Sequence, residues 1–339
     1  MCSNDKGAIV PMKIGIFTAL FHDRPIEEAL DIIAEAGIEA VELGAGAYPG
    51  SRHLDDVGGI QKLISDDGAR KKLLKLVESR GLFIDSLSVH GNPLHPNKNI
   101  ANEHHLAFEN AVLLAEKLGL TVVNGFSGCP GEGPRANYPN WVTCPWPDEY
   151  RVVLDWQWKK KAIPYWRAQN KFLKAHNVKF AIEAHPGFLV YNPETILKLR
   201  QAAGTNIGAN FDPSHFWWQG IDPIAAVRTL GEAGAIFHVH AKDTRIDPIN
   251  SSVNGNLDVK SYGDILNRSW VFRSVGYGHD TYWWKDFVSN LRMIGYDDVL
   301  SIEHEDGLLS NKEGLKKAME TLQAAVVKEE AGSMFWAKE

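Results

Sequence analysis

"KFAIEAHPGFLVYNPETILKLRQAAGTNIGANFD", residues 179–212, decides the fold. "KFAIEAH" (179–185) is an apolar run of strand length, and "PETILKLRQAAG" (193–204) repeats its apolar positions at helical spacing, with Pro193 in its first turn. "IGANFD" (207–212) is a strand again. Strand, helix, strand is the repeating unit of an α/β protein.

The same alternation extends in both directions. Toward the N-terminus, "KIGIF" (13–17), "AVEL" (40–43), "FIDSLSV" (83–89) and "TVVNGF" (121–126) read as strands. Between them, "IEEALDIIAEAG" (26–37), "DGARKKLLKLVESRG" (67–81) and "HHLAFENAVLLAEKLG" (104–119) read as helices, the first two closed by Gly37 and Gly81. A helix over 159–177 is expected to kink at Pro164. Toward the C-terminus, "AIFHVHAKD" (235–243) and "VLSIEHE" (299–305) are strands, and 222–231, 282–295 and 311–329 are helices. Eight strand-helix pairs predict a closed (β/α)8 TIM barrel, an α/β fold. It would form one domain over 13–330, between tails at 1–12 and 331–339. An open doubly wound sheet is the alternative, but no GxGxxG follows "KIGIF" to support its dinucleotide-binding form.

Two segments break the rhythm. Residues 127–158, with five Pro and four Trp, and residues 243–281 are expected as long loops after strands four and seven. Loops after the strands lie on the catalytic face of a barrel.

Composition narrows the class. The chain has 339 residues, 44% hydrophobic and 23% charged, with a net charge of −6. That balance argues against general affinity for nucleic acid or anionic membrane, and no apolar run is long enough to span a bilayer. Cys2, Cys129 and Cys144 are odd in number and form no CxxC, so free thiols in a reducing cytoplasm are expected. The start, "MCSNDKGAIVPMKIGIF", lacks the layout of a secretion signal.

Four consecutive strand ends carry groups that ligate metals: Glu183, Asp212, His240 and Glu303. A strand-end carboxylate taken alone is ordinarily a helix cap or half of an ion pair. Three carboxylates buried at one barrel mouth would be very costly without a cation to neutralise them. Three oxygen donors and one nitrogen suit Mn²⁺ first, then Mg²⁺ or Co²⁺, with Zn²⁺ a further option. In "HVH", His238 and His240 share parity and stand about 7 Å apart along the strand. His240 is nearer the mouth. His238 belongs one layer below, as a core histidine or a support for the ligands.

"AIEAHPG", "NFDPSHFWWQG", "HVHAKDTR" and "SIEHED" together resemble the xylose-isomerase-like barrel superfamily, also called sugar phosphate isomerase/epimerase-like. The resemblance runs from Lys13 to about Val327. It implies a metal held by Glu183, Asp212, His240 and Glu303, with Glu183 and Glu303 also acting as acid and base. It further implies that His215 and Arg245 contact the sugar. Leu189 stands where the ketose 3-epimerases of this superfamily have a further glutamate, so that contact is missing. His185 instead resembles a general base of members acting on oxidised sugars, including the large subunit of C-glycoside deglycosidases. The superfamily's apurinic endonucleases need an Asp-x-His before the glycine pair, here Gly276 and Gly278, and "WVFRSV" has none.

The reaction expected is proton abstraction beside a metal-bound carbonyl of a sugar, keto-sugar or inositol derivative. Return of the proton gives isomerisation or epimerisation. Loss of a substituent instead would make the enzyme a lyase on 3-keto-glycosides. Glu183, Glu303 and His185 are the catalytic candidates. Trp217 and His90 are expected at the substrate, the indole as a stacking platform. Glu42 and "NPLHP" (92–96) add polar groups to the same face. The expected partners are a small carbohydrate and further copies of the chain, with room for a small second subunit.

Overall fold

A computed structural model describes residues 12–329 together with Gly332, Trp336 and Ala337. The tails read at 1–12 and 331–339 otherwise lie outside the described residues. Met12, assigned to the first tail, is fully buried in the apolar core.

Ten strands are present among the described residues: β1 (Lys13–Phe17), β2 (Ala40–Gly44), β3 (Phe83–Val89), β4 (Val122–Gly125), β5 (Lys179–Glu183), β6 (Ile207–Phe211), β7 (Ile236–Ala241), β8 (Asp243–Ile246), β9 (Trp270–Arg273) and β10 (Val299–Ile302). Eight of them close a barrel in the order β1-β10-β7-β6-β5-β4-β3-β2. The first and last strands seal it in parallel register, Lys13 opposite Val299 and Ile16 opposite Ile302. The fold is therefore the (β/α)8 barrel that the alternation predicts.

The quoted stretch shows how local chemistry builds each unit. Asn192 precedes the helix Pro193–Ala203 and accepts a hydrogen bond from the Thr195 amide at 2.9 Å. The Thr195 hydroxyl accepts from the Asn192 amide at 3.1 Å, completing a reciprocal cap of the kind that contributes about 1 kcal/mol. Ile196 and Leu199 face the barrel. On β6, Ile207, Ala209 and Phe211 belong to the apolar core, while Asn210 enters the polar interior. Alternation along the strand thus sorts apolar side chains outward toward the helices and polar ones inward.

The two irregular segments are more ordered than expected. Helix begins at Asp148, passes through a π-helical turn at Gln157–Ala162 and continues as Ile163–Ala175. Pro164 falls just past that wide turn, at the start of the last piece. Gln157 donates to the carbonyls of Pro130, Gly131 and Asn140, which fixes the preceding loop. The excursion after β7 folds into an antiparallel hairpin, β8–β9, carrying a short helix, Pro248–Asn254. Its far end is pinned by the Asp243 carboxylate, which accepts from the amides of Gly276, Gly278 and His279 and from the His279 ring. Among the described residues no helix is long and apolar enough to cross a membrane.

Candidate metal centre

The inward parity that puts Asn210 inside the barrel carries Asp212 to its mouth. β5, β7 and β10 do the same for Glu183, His240 and Glu303. One ligand atom from each of these four residues lies within 4.8 Å of all the others. All are buried, from 0% exposure at His240 to 9% at Glu303.

His240 is oriented from both sides. Its Nε2 lies 3.0 Å from Glu42 Oε2, while its Nδ1 lies 3.0 Å from Glu303 Oε2 and 3.3 Å from Glu183 Oε2. A proton on Nε2 shared with Glu42 leaves Nδ1 to the cluster, the arrangement that orients metal-binding histidines. Glu42 is itself held by the Ser88 hydroxyl, by Asn124 Nδ2 at 2.9 Å and by the Ser301 hydroxyl at 2.7 Å. Burial raises the Glu42 carboxyl, but His240 and His238 outweigh it and hold the group well below the carboxylate range. His238 sits one layer down, with Nδ1 2.8 Å from Asn210 Oδ1 and Nε2 2.7 Å from Asp85 Oδ2. It supports the layer beneath the cluster.

The electrostatics of the four residues fit a cation. Asp212 Oδ2 and Glu303 Oε2 are buried, yet neither accepts a well-directed hydrogen bond. Burial pushes the Asp212 carboxyl up to about 6. Burial also acts to discharge His240, but the Glu42 and Glu303 carboxylates drive it well above its ordinary value. Buried carboxylates at this density are paired or coordinate metals.

Two histidines flank Glu183. His215 Nε2 lies 2.9 Å from Glu183 Oε1 and 3.3 Å from Asp212 Oδ2, and His90 Nε2 lies 3.1 Å from Glu183 Oε2. Both are brought to the cluster. The His185 ring packs 4.1 Å from that of His215, centroid to centroid, and its Nδ1 lies 2.6 Å from the Pro186 carbonyl. Burial, with His215 beside it, pushes His185 down to about 3, so the ring is neutral at neutral pH. With Nδ1–H donated to Pro186, Nε2 keeps its lone pair.

A cavity of about 660 Å³ reaches His185 and Glu305 beside the cluster, with Phe126, Tyr262, Phe272 and Leu308 among its other walls, and none of the four donors lines it. None of the four expected substrate contacts lines it: His90 and His215 pair with Glu183 instead, and Trp217 and Arg245 lie elsewhere. Arg245 is exposed on β8, because the hairpin turns that strand away from the barrel mouth. Trp217 stacks on His279, with centroids 3.9 Å apart and planes 13° apart, and meets the edge of Trp283. No tryptophan is among the described residues lining the cavity. Trp218 stacks on Trp270 instead, and Trp284 is buried in the core.

Lys242 is the residue that the sequence reading missed. It is 2% exposed, with Nζ 3.3 Å from Glu303 Oε1 and 2.6 Å from Glu305 Oε2. The signal was present: Lys242 continues the parity of His238 and His240. Burial raises the Glu303 carboxyl, but Lys242 and His240 outweigh it and hold the group at about 2. One Glu303 oxygen is thereby tied to Lys242 while the other faces the cluster.

A closed parallel barrel with three carboxylates and an imidazole converging at the C-terminal ends of its strands defines a class of barrel proteins with a candidate metal centre. The chain belongs to the xylose isomerase-like TIM barrel family, whose family model matches residues 30–325. It is 38% identical over 318 residues to the uncharacterized protein YfiH of Bacillus subtilis (strain 168), covering 93% of this chain and 99% of that protein. A D-tagatose 3-epimerase-like protein superposes with a TM-score of 0.61 at 20% identity, covering 93% of this chain and 98% of that one. The IOLI protein, solved with a bound zinc atom, gives 0.60 at 17% identity, with 93% and 98% coverage.

Proposed function

We propose that the protein is a divalent-metal-dependent isomerase or epimerase of a sugar, keto-sugar or inositol derivative. The observation that carries this reading is the convergence of Glu183, Asp212, His240 and Glu303 within 4.8 Å at the barrel mouth. When bound, a divalent cation supplies Lewis acidity that polarises a substrate carbonyl and acidifies the adjacent C–H. Mn²⁺ suits three oxygen donors and one nitrogen, and the zinc found in the IOLI protein keeps Zn²⁺ in view.

The chain's own groups supply the proton chemistry. His185 Nε2, neutral and on the cavity wall, is placed to take a proton from a substrate carbon. Glu183 is kept ionised: burial raises its carboxyl, and hydrogen bonds from His215, His240 and His90 hold it well below the usual range. Its ionised oxygens serve as ligand and second acceptor. Lys242 fixes Glu303 in one orientation and adds positive charge beside any oxyanion that develops. His90 and His215 position Glu183.

The size of the cavity supports a second reading, a lyase on 3-keto-glycosides. The two readings separate in one experiment. Protein reloaded with Mn²⁺ is incubated in D₂O with free ketoses, inososes and 3-oxo-glycosides. Deuterium at the carbon next to the carbonyl, in a product that has gained only the label, supports isomerase or epimerase chemistry. Release of an aglycone supports the lyase. Failure to bind one Mn²⁺ per chain, or full retention of that ion by Asp212→Asn, removes the basis of both.

A further inference from the structure

The cavity beside the cluster is lined by groups of two kinds. His185 and Glu305 line it on the side of the cluster, Glu305 through its ion pair with Lys242 at 2.6 Å. The rest of the lining is largely apolar, Tyr262, Ile265, Val271, Phe272 and Leu308, with Phe272 nearest the cluster, its ring 4.2 Å from Lys242 Nζ. Tyr262 and Phe272 lie nearly parallel, 20° apart with centroids at 5.8 Å.

This wall is built to hold its shape. Arg268, 2% exposed, is sandwiched between Tyr262 at 4.6 Å and Trp270 at 4.5 Å. Its guanidinium donates to the carbonyls of Trp270 and Lys260, tying the segment before β9 to the strand. Asp258 accepts from the amides of Lys260 and Ser269 and closes the same segment from below. Packed aromatics and a stacked, hydrogen-bonded arginine lose little freedom when a ligand arrives.

Cavities of about 300–1,000 Å³ enclose drug-sized ligands, well beyond the size of a free monosaccharide. A lone sugar at the cluster would leave Tyr262, Ile265 and Leu308 facing water. We propose that the substrate is a sugar conjugate: a carbonyl-bearing sugar at the cluster, joined to an apolar, ring-sized substituent that packs against the apolar lining formed by Tyr262, Phe272, Ile265 and Leu308. This rests on the reading of the cluster as a metal site for a carbonyl-bearing sugar. It adds the class of group attached to that sugar.

The test uses Mn²⁺-loaded protein titrated calorimetrically with phenyl 3-oxo-β-D-glucopyranoside and with its methyl counterpart, each with and without the ion. Burial of a phenyl ring on this wall predicts binding about 10- to 100-fold tighter for the phenyl compound. In Leu308→Glu, confirmed as folded by its Mn²⁺ stoichiometry, that ratio should fall below about 3-fold, as expected when a charge replaces an apolar contact. Equal Mn²⁺-dependent affinities in the wild type overturn the conjugate while leaving the metal site standing. Affinities that ignore Mn²⁺, or no binding of either compound, overturn the underlying reading and the conjugate with it.

Discussion

Replacing Lys242 with methionine tests the electrostatic account of the cluster most directly. Methionine keeps most of the volume and removes the charge. Lys242 is 2% exposed and pairs with the Glu303 carboxylate at 3.3 Å. Deleting one partner of a buried ion pair leaves an uncompensated charge, and such deletions cost about 3–5 kcal/mol. Glu305, the other partner, is 35% exposed and can turn to water, so the cost falls on Glu303. A chain of 339 residues has an unfolding entropy of about 0.7 kcal/mol per kelvin. Calorimetry on metal-free protein should therefore show Tm lowered by about 4–7 °C. With saturating Mn²⁺ the ion becomes the partner of Glu303, and the same substitution should cost less than half as much. Lys242→Arg should restore most of the loss. A fall under about 2 °C without metal, or an equal fall with and without it, refutes the claim that Lys242 compensates the cluster.

Three further expectations follow from separate parts of the fold. A Cβ at Gly278 would stand 2.4 Å from both Asp243 Oδ1 and the Thr244 carbonyl, so Gly278→Ala should lower stability by about 1–3 kcal/mol in urea unfolding and open residues 274–284 to proteolysis. Burial raises the Cys129 thiol to about 12 whereas Cys144 is exposed, so iodoacetamide at pH 8 followed by peptide mapping should modify Cys144 and spare Cys129 until the protein is unfolded. At Asp258 burial acts upward, but the amides of Lys260 and Ser269 and the Lys260 ammonium outweigh it and hold the carboxyl at about 2. A depressed folded value means that this contribution is complete above the unfolded value of about 3.9 and is lost as pH falls toward 2. Amide exchange at Lys260 and Ser269 should accelerate over that window, and Asp258→Asn should show the same acceleration at pH 7.

The barrel and the four converging donors were legible because both depend on short periods. An apolar run of strand length ending in Glu183, Asp212, His240 or Glu303 places each group by parity and position alone, and no long-range contact is needed to say where it points. Lys242 obeyed the same parity and was passed over, since lysines ordinarily stand in water and nothing local announces two glutamates arriving from β10. Trp217 and Arg245 failed for the opposite reason. Their surroundings are set by distant segments: His279 and Trp283 reach Trp217 from the end of the excursion, and Arg245 belongs to a hairpin strand whose register is fixed by β9. The helix from Asp148 lay inside a segment rich in proline and tryptophan. Just past it, Gln157 bonds back to the loop before it, a contact that no local pattern announces.

β10 performs two tasks at once. It pairs with β1 and β7 to seal the barrel, and it delivers Glu303 to the mouth. Until residues 299–302 have left the ribosome, β1 and β7 are raw edges of an open sheet, the kind of surface on which nascent chains join one another. A chain stalled before that point presents Glu183, Asp212 and His240 but lacks Glu303 and its tether to Lys242. Completion of the pocket then reports completion of synthesis, and a barrel that has not closed is chemically distinguishable from one that has.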